Sequence, residues 1–210
     1  VGNTAPVPIL PGKRTLLRAR PIKRKKMKRE SEPLSIAVVV LNWNGRALLE
    51  EFLPSLVRYN HPQAKIYVAD NASTDDSVEW LQRNYPEVGI IRNDENYGFA
   101  KGYNVALKGL REDIFALVNS DIEVTEGWLN SVVEEFESDP GVTAAQPRLL
   151  DYKDKTMFEY AGAAGGFIDK LGYPYCRGRI FTVIEPDKGQ YTQNSDIFWA
   201  TGACLFVRRE

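Results

Sequence analysis

Residues 114–121 read IFALVNSD, five apolar residues that end abruptly in three polar ones. A short, continuous apolar run is typical of a strand that is covered on both faces in a parallel sheet. Runs over 35–41 (SIAVVVL), 65–69 (KIYVA) and 88–92 share this character. These four runs therefore predict a parallel sheet with a buried centre.

Amphipathic segments separate the apolar runs. Helices are predicted over 46–58, from 73–76 onward, over 98–110 and over 126–138. Pro54 is expected to kink or shorten the first helix, and a run over 203–207 predicts a strand that returns to the sheet. Strands that alternate with helices indicate an α/β fold, here a Rossmann-like, mostly parallel sheet with helices on both faces.

Charge divides the chain into two parts. Residues 1–33 carry ten basic and two acidic side chains, whereas the whole chain has a net charge of −1. We interpret 1–33 as a basic, disordered arm and 34–210 as the folded domain. The arm is either a solvated tail or a peripheral contact with an anionic membrane surface. Because its basic residues are not interleaved with aromatic ones, nucleic-acid binding is not expected.

The cellular location is predicted from what the sequence lacks. There is no apolar run of about 18 residues that would span a membrane, and no signal-peptide pattern is visible. Cys176 and Cys204 are far apart and in no metal-ligand spacing, which favours a reducing compartment. We expect a cytoplasmic protein, with peripheral contact at the inner face of the membrane as an option for the arm.

Polar side chains follow three of the predicted strands. The first strand is followed by residues 42–44, the second by Asp70 and Asn71, and the fourth by residues 119–121. An acid in such a place often caps the next helix. In open parallel sheets, however, ligands bind at the carboxyl ends of the strands. Three polar groups at corresponding ends therefore predict a ligand site.

The common phosphate-binding loops are missing from the sequence. There is no G-x-x-x-x-G-K-[ST], and no G-x-G-x-x-G follows the first strand. A bound nucleotide diphosphate would need another source of positive charge. Mg²⁺ or Mn²⁺ fits, since these ions favour oxygen ligands and often need only one or two protein carboxylates.

Six segments together carry a family resemblance. They are VVVLNWNG (38–45), VADNASTDDS (68–77), NDENYGFAKGYNVAL (93–107), LVNSDIEV (117–124), PRLLD (147–151) and WATGACLFVRR (199–209). The first four resemble family 2 glycosyltransferases, which have the GT-A fold. The last two are similar to the rhamnosyltransferase-like branch of that family.

The resemblance implies which residues contact the nucleotide-sugar. Asn42, Trp43 and Asn44 would line the base and ribose pocket. Asp70 would accept a hydrogen bond from a pyrimidine base, with Asn71 beside it in the same pocket.

The predicted helix over 98–110 would also pass near the nucleotide. The resemblance places Gly98, Lys101 and Asn104 there. Lys101 either approaches the diphosphate or is an exposed helix charge.

The family's D-x-D element falls on Asn119, Ser120 and Asp121. Its first acid is replaced by Asn119, so metal coordination is assigned chiefly to Asp121.

Trp199 would lie on the acceptor side, with core packing as its alternative. The family's general base lies downstream of the strand at 203–207. We expect it beyond Glu210, and we do not assign this role to Asp151, Asp154, Asp187 or Asp196.

The resemblance implies inverting transfer from a UDP- or dTDP-sugar, with Mg²⁺ or Mn²⁺, to a glycan or lipid-linked acceptor in cell-surface polysaccharide synthesis. One alternative is a non-catalytic nucleotide- or carbohydrate-binding module. Another is a sugar nucleotidyltransferase, although the basic, glycine-rich phosphate loop of that class is not seen near the first strand.

Overall fold

The computed structural model describes residues 7–8, 16–19 and 33–209. The strands are β1 (Val7–Pro8), β2 (Leu16–Ala19), β3 (Ile36–Asn42), β4 (Ala64–Asp70), β5 (Gly89–Arg92), β6 (Ile114–Val118), β7 (Ile122–Glu123), β8 (Ala144–Pro147), β9 (Gly166–Ile168), β10 (Pro174–Cys176), β11 (Arg179–Ile180), β12 (Val183–Ile184), β13 (Ser195–Asp196) and β14 (Cys204–Arg208). The helices are α1 (Arg46–Arg58), α2 (Ser77–Asn84), α3 (Gly98–Ala106), which continues into the 3₁₀ turn Leu107–Gly109, and α4 (Asn130–Ser138).

The central sheet has the strand order β13-β2-β8-β14-β6-β3-β4-β5. Its half from β6 to β5 is parallel, which is the sheet predicted from the four apolar runs. Strand β14 enters antiparallel between β6 and β8, so the predicted returning strand is confirmed. The α/β architecture with a mostly parallel sheet is therefore confirmed.

Helices cover both faces of the sheet. Val38 and Val40 of β3 belong to a core cluster with residues of α1, α2 and α4. Ala37 and Val39 belong to a second cluster with Tyr103 of α3. Because successive side chains of a strand point to opposite faces, one continuous apolar run supplies both cores.

Helix α1 has the predicted bounds, but the expected shortening at Pro54 is wrong. The proline removes a single backbone donor. Leu53 and Leu56 on either side of it are buried in the core. Their burial holds the last turns of the helix in place.

Two helices begin later than predicted. Helix α4 starts at Asn130 rather than 126, because Gly127 has a φ of +72° and the preceding residues form turns. Helix α2 starts at Ser77, after the predicted start at 73–76. Asp75 there accepts hydrogen bonds from the backbone N–H groups of Arg46 and Ser77.

Two segments of the predicted arm form strands. Strand β1 pairs in parallel with β7, and β2 pairs antiparallel with β8. The prediction of disorder is wrong for these two segments, since they satisfy backbone groups that would otherwise be unpaired at a sheet edge. The rest of the arm lies outside the described residues, and the domain boundary at residue 34 stays a prediction.

A second, smaller sheet is formed by β9–β12 in the order β12-β11-β10-β9, with every neighbouring pair antiparallel. We call residues 166–184 the meander. Its Cys176 belongs to a small apolar cluster with Phe158.

Cys176 and Cys204 are both free and buried. Among the described residues, no helix is long and apolar enough to cross a membrane.

Candidate functional site

The predicted polar groups gather at one edge of the central sheet. Asn42 and Asp70 are paired in register at the ends of β3 and β4. Val118, the last residue of β6, pairs with Val40 on the other side of β3. The polar residues that follow these strands therefore share one rim, where an open α/β sheet binds its ligand.

Asn42 fixes the carboxylate of Asp70. Its side chain is 1% exposed, and Nδ2 lies 3.1 Å from Oδ1 of Asp70, 3.1 Å from Oγ of Ser73 and 3.0 Å from Oγ of Ser77. The other carboxylate oxygen of Asp70 accepts a hydrogen bond from the backbone N–H of Ser73 at 3.1 Å. Close packing also explains Gly45, where a Cβ atom would lie 2.5 Å from Oδ1 of Asn42.

Asn44 ties the loop after β3 to the loop after β4. Its Oδ1 accepts a hydrogen bond from the backbone N–H of Thr74 at 2.7 Å, and its own N–H donates to Ser73 at 2.9 Å. Its φ of 49° is left-handed, a conformation that asparagine tolerates better than most residues. The neighbouring Trp43 is exposed, so its indole ring faces solvent in this loop.

Asn71 is directed inward. Its side chain is 2% exposed, and Nδ2 donates to Oδ1 of Asn96 at 2.7 Å and to the carbonyl of Gly98 at 3.1 Å. Its Oδ1 accepts from Nδ2 of Asn93 at 3.0 Å. Asn71 therefore holds the start of α3 against the end of β4. The sequence analysis did not single out Asn93 or Asn96, although Asn93 directly follows a predicted strand.

Helix α3 begins at Gly98, whose φ of +71° favours glycine. Lys101 and Asn104 are exposed on this helix. The Nζ atom of Lys101 lies 3.9 Å from the ring centre of Tyr97 and 3.6 Å from a carboxylate oxygen of Glu95. Lys101 is thus an exposed charge with local partners.

Asn119, Ser120 and Asp121 are half-buried after β6. Burial raises the pKa of the Asp121 carboxyl, and a hydrogen bond from the Asn119 side chain opposes this effect. The Oδ1 atom of Asn119 is buried and has no hydrogen-bond partner within the part of the chain that the structure describes. A buried acceptor beside a desolvated carboxylate is the arrangement that a cation would satisfy.

Tyr103 supports this segment from α3, although the sequence analysis did not single it out. Its hydroxyl donates to the carbonyl of Val118 at 3.0 Å. Burial raises the pKa of Tyr103, and the nearby charge of Asp121 adds to that rise. The backbone N–H of Asn119 donates to the carbonyl of Ala203 at 2.9 Å, so the loop before β14 braces the other side.

Trp199 lies in the cluster beneath the meander. Its indole Nε1 donates to the carbonyl of Phe167 at 3.3 Å, and its ring covers Gly166 so closely that a Cβ atom there would lie 2.1 Å away. The residue is half-buried in this packing. Its acceptor-side role stays a prediction.

A preformed cage for a metal ion is not found among the described residues, where no three His, Cys, Asp or Glu side chains are grouped for one. The carboxylate of Asp121 and Oδ1 of Asn119 are two side-chain oxygen ligands at the end of β6, beside the hydroxyl of Ser120. This sparse set fits an ion such as Mg²⁺, which usually takes one or two carboxylates and completes its shell with phosphate oxygens and water.

The family described as Glycosyl transferase family 2 matches residues 35–210. The chain belongs to this family. The resemblance stated from the strand-end motifs is thereby confirmed. The matched range contains every candidate residue at the rim of the central sheet.

Two curated relatives illustrate the similarity. The N-acetylglucosaminyl-diphospho-decaprenol L-rhamnosyltransferase of Mycobacterium tuberculosis is 24% identical over 190 residues, which cover 83% of this chain and 61% of the relative. The hyaluronan synthase of Pasteurella multocida is 27% identical over 134 residues, which cover 60% of this chain and 14% of that protein. The chain thus spans less than two thirds of these relatives.

Two solved structures illustrate the similarity in fold. A mannosyltransferase from Pyrobaculum calidifontis, in complex with GDP-Man and Mn²⁺, is 24% identical with a TM-score of 0.49, over 54% of this chain and 35% of that one. A structure of S. aureus TarS in complex with UDP-GlcNAc is 24% identical with a TM-score of 0.45, over 50% of this chain and 32% of that one.

Proposed function

We propose that this domain binds a UDP- or dTDP-sugar at the carboxyl ends of β3, β4 and β6, and donates the sugar to a glycan or lipid-linked acceptor with inversion. The observation that carries the proposal is the shared rim of Asp70 and Asp121. One carboxylate is held by a buried amide, and the other is desolvated beside an acceptor that has no partner among the described residues. The first suits recognition of a base and the second suits a cation.

Asp70 is the base-recognition residue of the proposal. A pyrimidine such as uracil or thymine presents a ring N–H, and a carboxylate accepts hydrogen bonds from such a group. Asn42 and the backbone of Ser73 hold both oxygens of Asp70, so the carboxylate is oriented before the nucleotide arrives. Trp43 offers the exposed ring of the same loop as a surface for the base or ribose.

Asp121 would hold Mg²⁺ or Mn²⁺, with Oδ1 of Asn119 as a second oxygen. When bound, the ion stabilises the negative charge of the departing nucleoside diphosphate as a Lewis acid. Asn119 also hydrogen-bonds the Asp121 carboxylate, which favours the charged form and opposes the rise in the Asp121 pKa that burial causes. Asn119 in place of the family's first acid lowers the negative charge of the site.

The acceptor side of the proposal rests on family likeness. The Mycobacterium tuberculosis relative is named for transfer to a diphospho-decaprenol acceptor. We propose a lipid-linked or glycan acceptor of cell-surface polysaccharide synthesis on the cytoplasmic side. Trp199 is the proposed acceptor-side residue, and no described acid is assigned as the base that takes the acceptor proton.

Calorimetric titration of UDP, dTDP and GDP into the chain, with and without Mn²⁺, tests the donor site. We expect UDP or dTDP to bind more tightly with Mn²⁺, and Asp121→Ala to remove the Mn²⁺ dependence. Glu87→Ala is the matched control. Glu87 is an exposed carboxylate that lies just before β5, at the end of the strand opposite the rim. Equal Mn²⁺-dependent heats for the wild type and Asp121→Ala would overturn the metal role.

A product assay separates the proposal from its alternatives. With a sugar nucleotide as substrate, release of the nucleoside diphosphate supports a glycosyltransferase. Release of pyrophosphate, with a sugar phosphate and a nucleoside triphosphate as substrates, would instead identify a nucleotidyltransferase. Tight UDP binding with neither product in a chain extended past Glu210 would identify a binding module.

A further inference from the structure

The strand order of the central sheet changes direction at β3. Strand β4, the next along the chain, lies on one side of β3, and β6 lies on the other. In open α/β sheets the ligand binds outside the carboxyl ends of the strands at such a switch point. The last paired positions there are Val40 of β3 and Val118 of β6. Asp70 ends β4 on one side of this point, and Asp121 follows β6 on the other.

The hydroxyl of Tyr103 reaches the switch point from α3. The side chain is buried, and its ring belongs to the cluster that contains Ala37 and Val39 of β3. The hydroxyl donates to the carbonyl of Val118 at 3.0 Å. Burial raises the pKa of Tyr103, and a hydrogen bond from the backbone N–H of Leu41 opposes this rise. Because a phenolic hydroxyl both donates and accepts, one group contacts the backbone of both strands where they end.

Helix α3 packs closely on the strand ends at this position. Gly102 precedes Tyr103, and a Cβ atom there would lie 3.2 Å from Oδ1 of Asn71 and 3.2 Å from Cδ1 of Leu41. The carbonyl of Gly102 accepts a hydrogen bond from Nδ2 of Asn93 at 3.2 Å. These contacts fix the backbone of α3 against β3 and β4, and so they fix where the Tyr103 hydroxyl lies.

The same helix contacts both halves of the proposed donor site. In the nucleotide half, Asn71 donates through Nδ2 to the carbonyl of Gly98 at the start of α3. The metal half, residues 119–121, begins directly after β6. Burial is the main cause of the raised Tyr103 pKa, and the charge of Asp121 is close enough to add to it. Helix α3 therefore meets one half at Asn71 and the other through Tyr103.

We propose that Tyr103 is a positioning residue that couples nucleotide binding to metal binding. Its hydroxyl fixes the backbone before Asn119 relative to β3, and this sets the place of Asp121 against a bound nucleotide. Such coupling is mutual, since the factor by which Mn²⁺ raises the affinity for UDP equals the factor by which UDP raises the affinity for Mn²⁺. The inference rests on the proposed donor site and assigns Tyr103 a role that acts through other residues.

Calorimetric titration of UDP, with and without Mn²⁺, measures this factor. The test variant is Tyr103→Phe, which keeps the buried ring and removes only the hydroxyl. The matched control is Tyr67→Phe, since the hydroxyl of Tyr67 donates to Oε1 of Glu112 at 2.6 Å. Glu112 lies just before β6, at the end of that strand opposite Asn119. Thermal melting without ligands establishes that each variant is folded.

We expect the gain in UDP affinity from Mn²⁺ to be about fivefold smaller in Tyr103→Phe, the effect of about one lost hydrogen bond. The gain should be unchanged in Tyr67→Phe, and UDP affinity without Mn²⁺ should be the same in all three proteins. A role in stability alone would lower the melting temperature and leave the gain from Mn²⁺ unchanged.

An undiminished gain in Tyr103→Phe, or an equal reduction in both variants, would overturn the inference and leave the donor site in place. Loss of metal-free UDP binding by Tyr103→Phe, or failure of this variant to fold, would also overturn it, because the hydroxyl would then support the whole domain. A wild type whose UDP binding does not respond to Mn²⁺ would contradict the metal role in the proposed function itself, and the inference with it.

Discussion

Asn42 donates a hydrogen bond through Nδ2 to Oδ1 of Asp70, 3.1 Å away, from the paired position on the neighbouring parallel strand. Both side chains are buried. A buried carboxylate requires compensating donors, and this amide supplies one at the rim where the nucleotide is proposed to bind. The stability of the sheet edge and recognition of the base therefore depend on one contact.

Replacing Asn42 by alanine should weaken both properties. The Asp70 carboxylate would lose a buried donor, so we expect the free energy of unfolding to fall by about 1–3 kcal/mol, with weaker UDP binding. Urea denaturation and calorimetry measure the two effects. The control is Asn60→Ala, since Asn60 donates to the carbonyl of Ala64 in an exposed setting. Equal losses in the two variants would contradict the role of Asn42.

Asp121 should make the stability of the metal-free protein depend on pH. Burial raises the pKa of Asp121, so the folded protein holds this proton more tightly than the unfolded chain does. The stability that the proton provides is present at low pH and is lost as pH rises through the raised pKa. Near pH 7, Asp121→Asn should therefore have a higher Tm than the wild type. For a chain of this length, each kcal/mol of added stability raises the Tm by about 2–4 °C.

The advantage of Asp121→Asn should disappear below about pH 4, where the carboxyl is protonated in both states. Mn²⁺ with UDP should reverse the order, since ligands stabilise only a protein that binds them. Melting curves over pH, with and without these ligands, measure both effects. A constant difference between the two proteins at every pH would refute the assignment.

The contact between Gly166 and Trp199 should be intolerant of a methyl group. A Cβ atom on Gly166 would lie 2.1 Å from the indole ring, so Gly166→Ala must displace Trp199 and is expected to cost about 1–3 kcal/mol. Gly109→Ala is the control, because a Cβ there meets no atom within 4 Å. Denaturation followed by tryptophan fluorescence would show the change. Equal stability of the two variants would place Trp199 elsewhere.

The ion pair between Arg148 and Asp187 should matter more than exposed pairs. A guanidinium nitrogen lies 2.9 Å from the carboxylate, and the two side chains are 12% and 11% exposed. Asp187→Ala leaves a charge largely buried and should cost about 3–5 kcal/mol. Glu50→Ala breaks the exposed pair with Arg46 and should cost about 0.3–0.5 kcal/mol. Urea denaturation compares them; similar costs would contradict the difference in burial.

Much of the fold follows from local sequence patterns. The run over 35–41 and the run over 114–118 predicted the central strands because a strand covered on both faces is apolar along its whole length, and the runs are too short for a helix. The start of α4 was misplaced because apolar periodicity continues through Gly127, whose positive φ belongs to a turn. The pairing of β2 with β8 was also missed, since it joins segments more than 100 residues apart.

The sequence predicted which polar residues share a rim, but not how each side chain is oriented. Polar residues after each strand predicted the shared rim. Asn71 points inward because it hydrogen-bonds Asn93 and Asn96, which are more than 20 residues away along the chain. Local sequence does not show these contacts, so it suggested a ligand contact for Asn71 instead. Asn119 is likewise bound to a distant segment, since its backbone N–H donates to the carbonyl of Ala203 in the loop before β14. Such long-range contacts decide which polar residues of a motif remain free.

A crystal structure of the chain soaked with UDP and Mn²⁺ tests the donor site most directly. We predict that the uracil ring will hydrogen-bond the carboxylate of Asp70, with Mn²⁺ between Asp121 and the diphosphate at the rim of β3, β4 and β6. Anomalous scattering would locate the manganese ion. UDP bound away from this rim, or manganese that does not contact Asp121, would contradict the account.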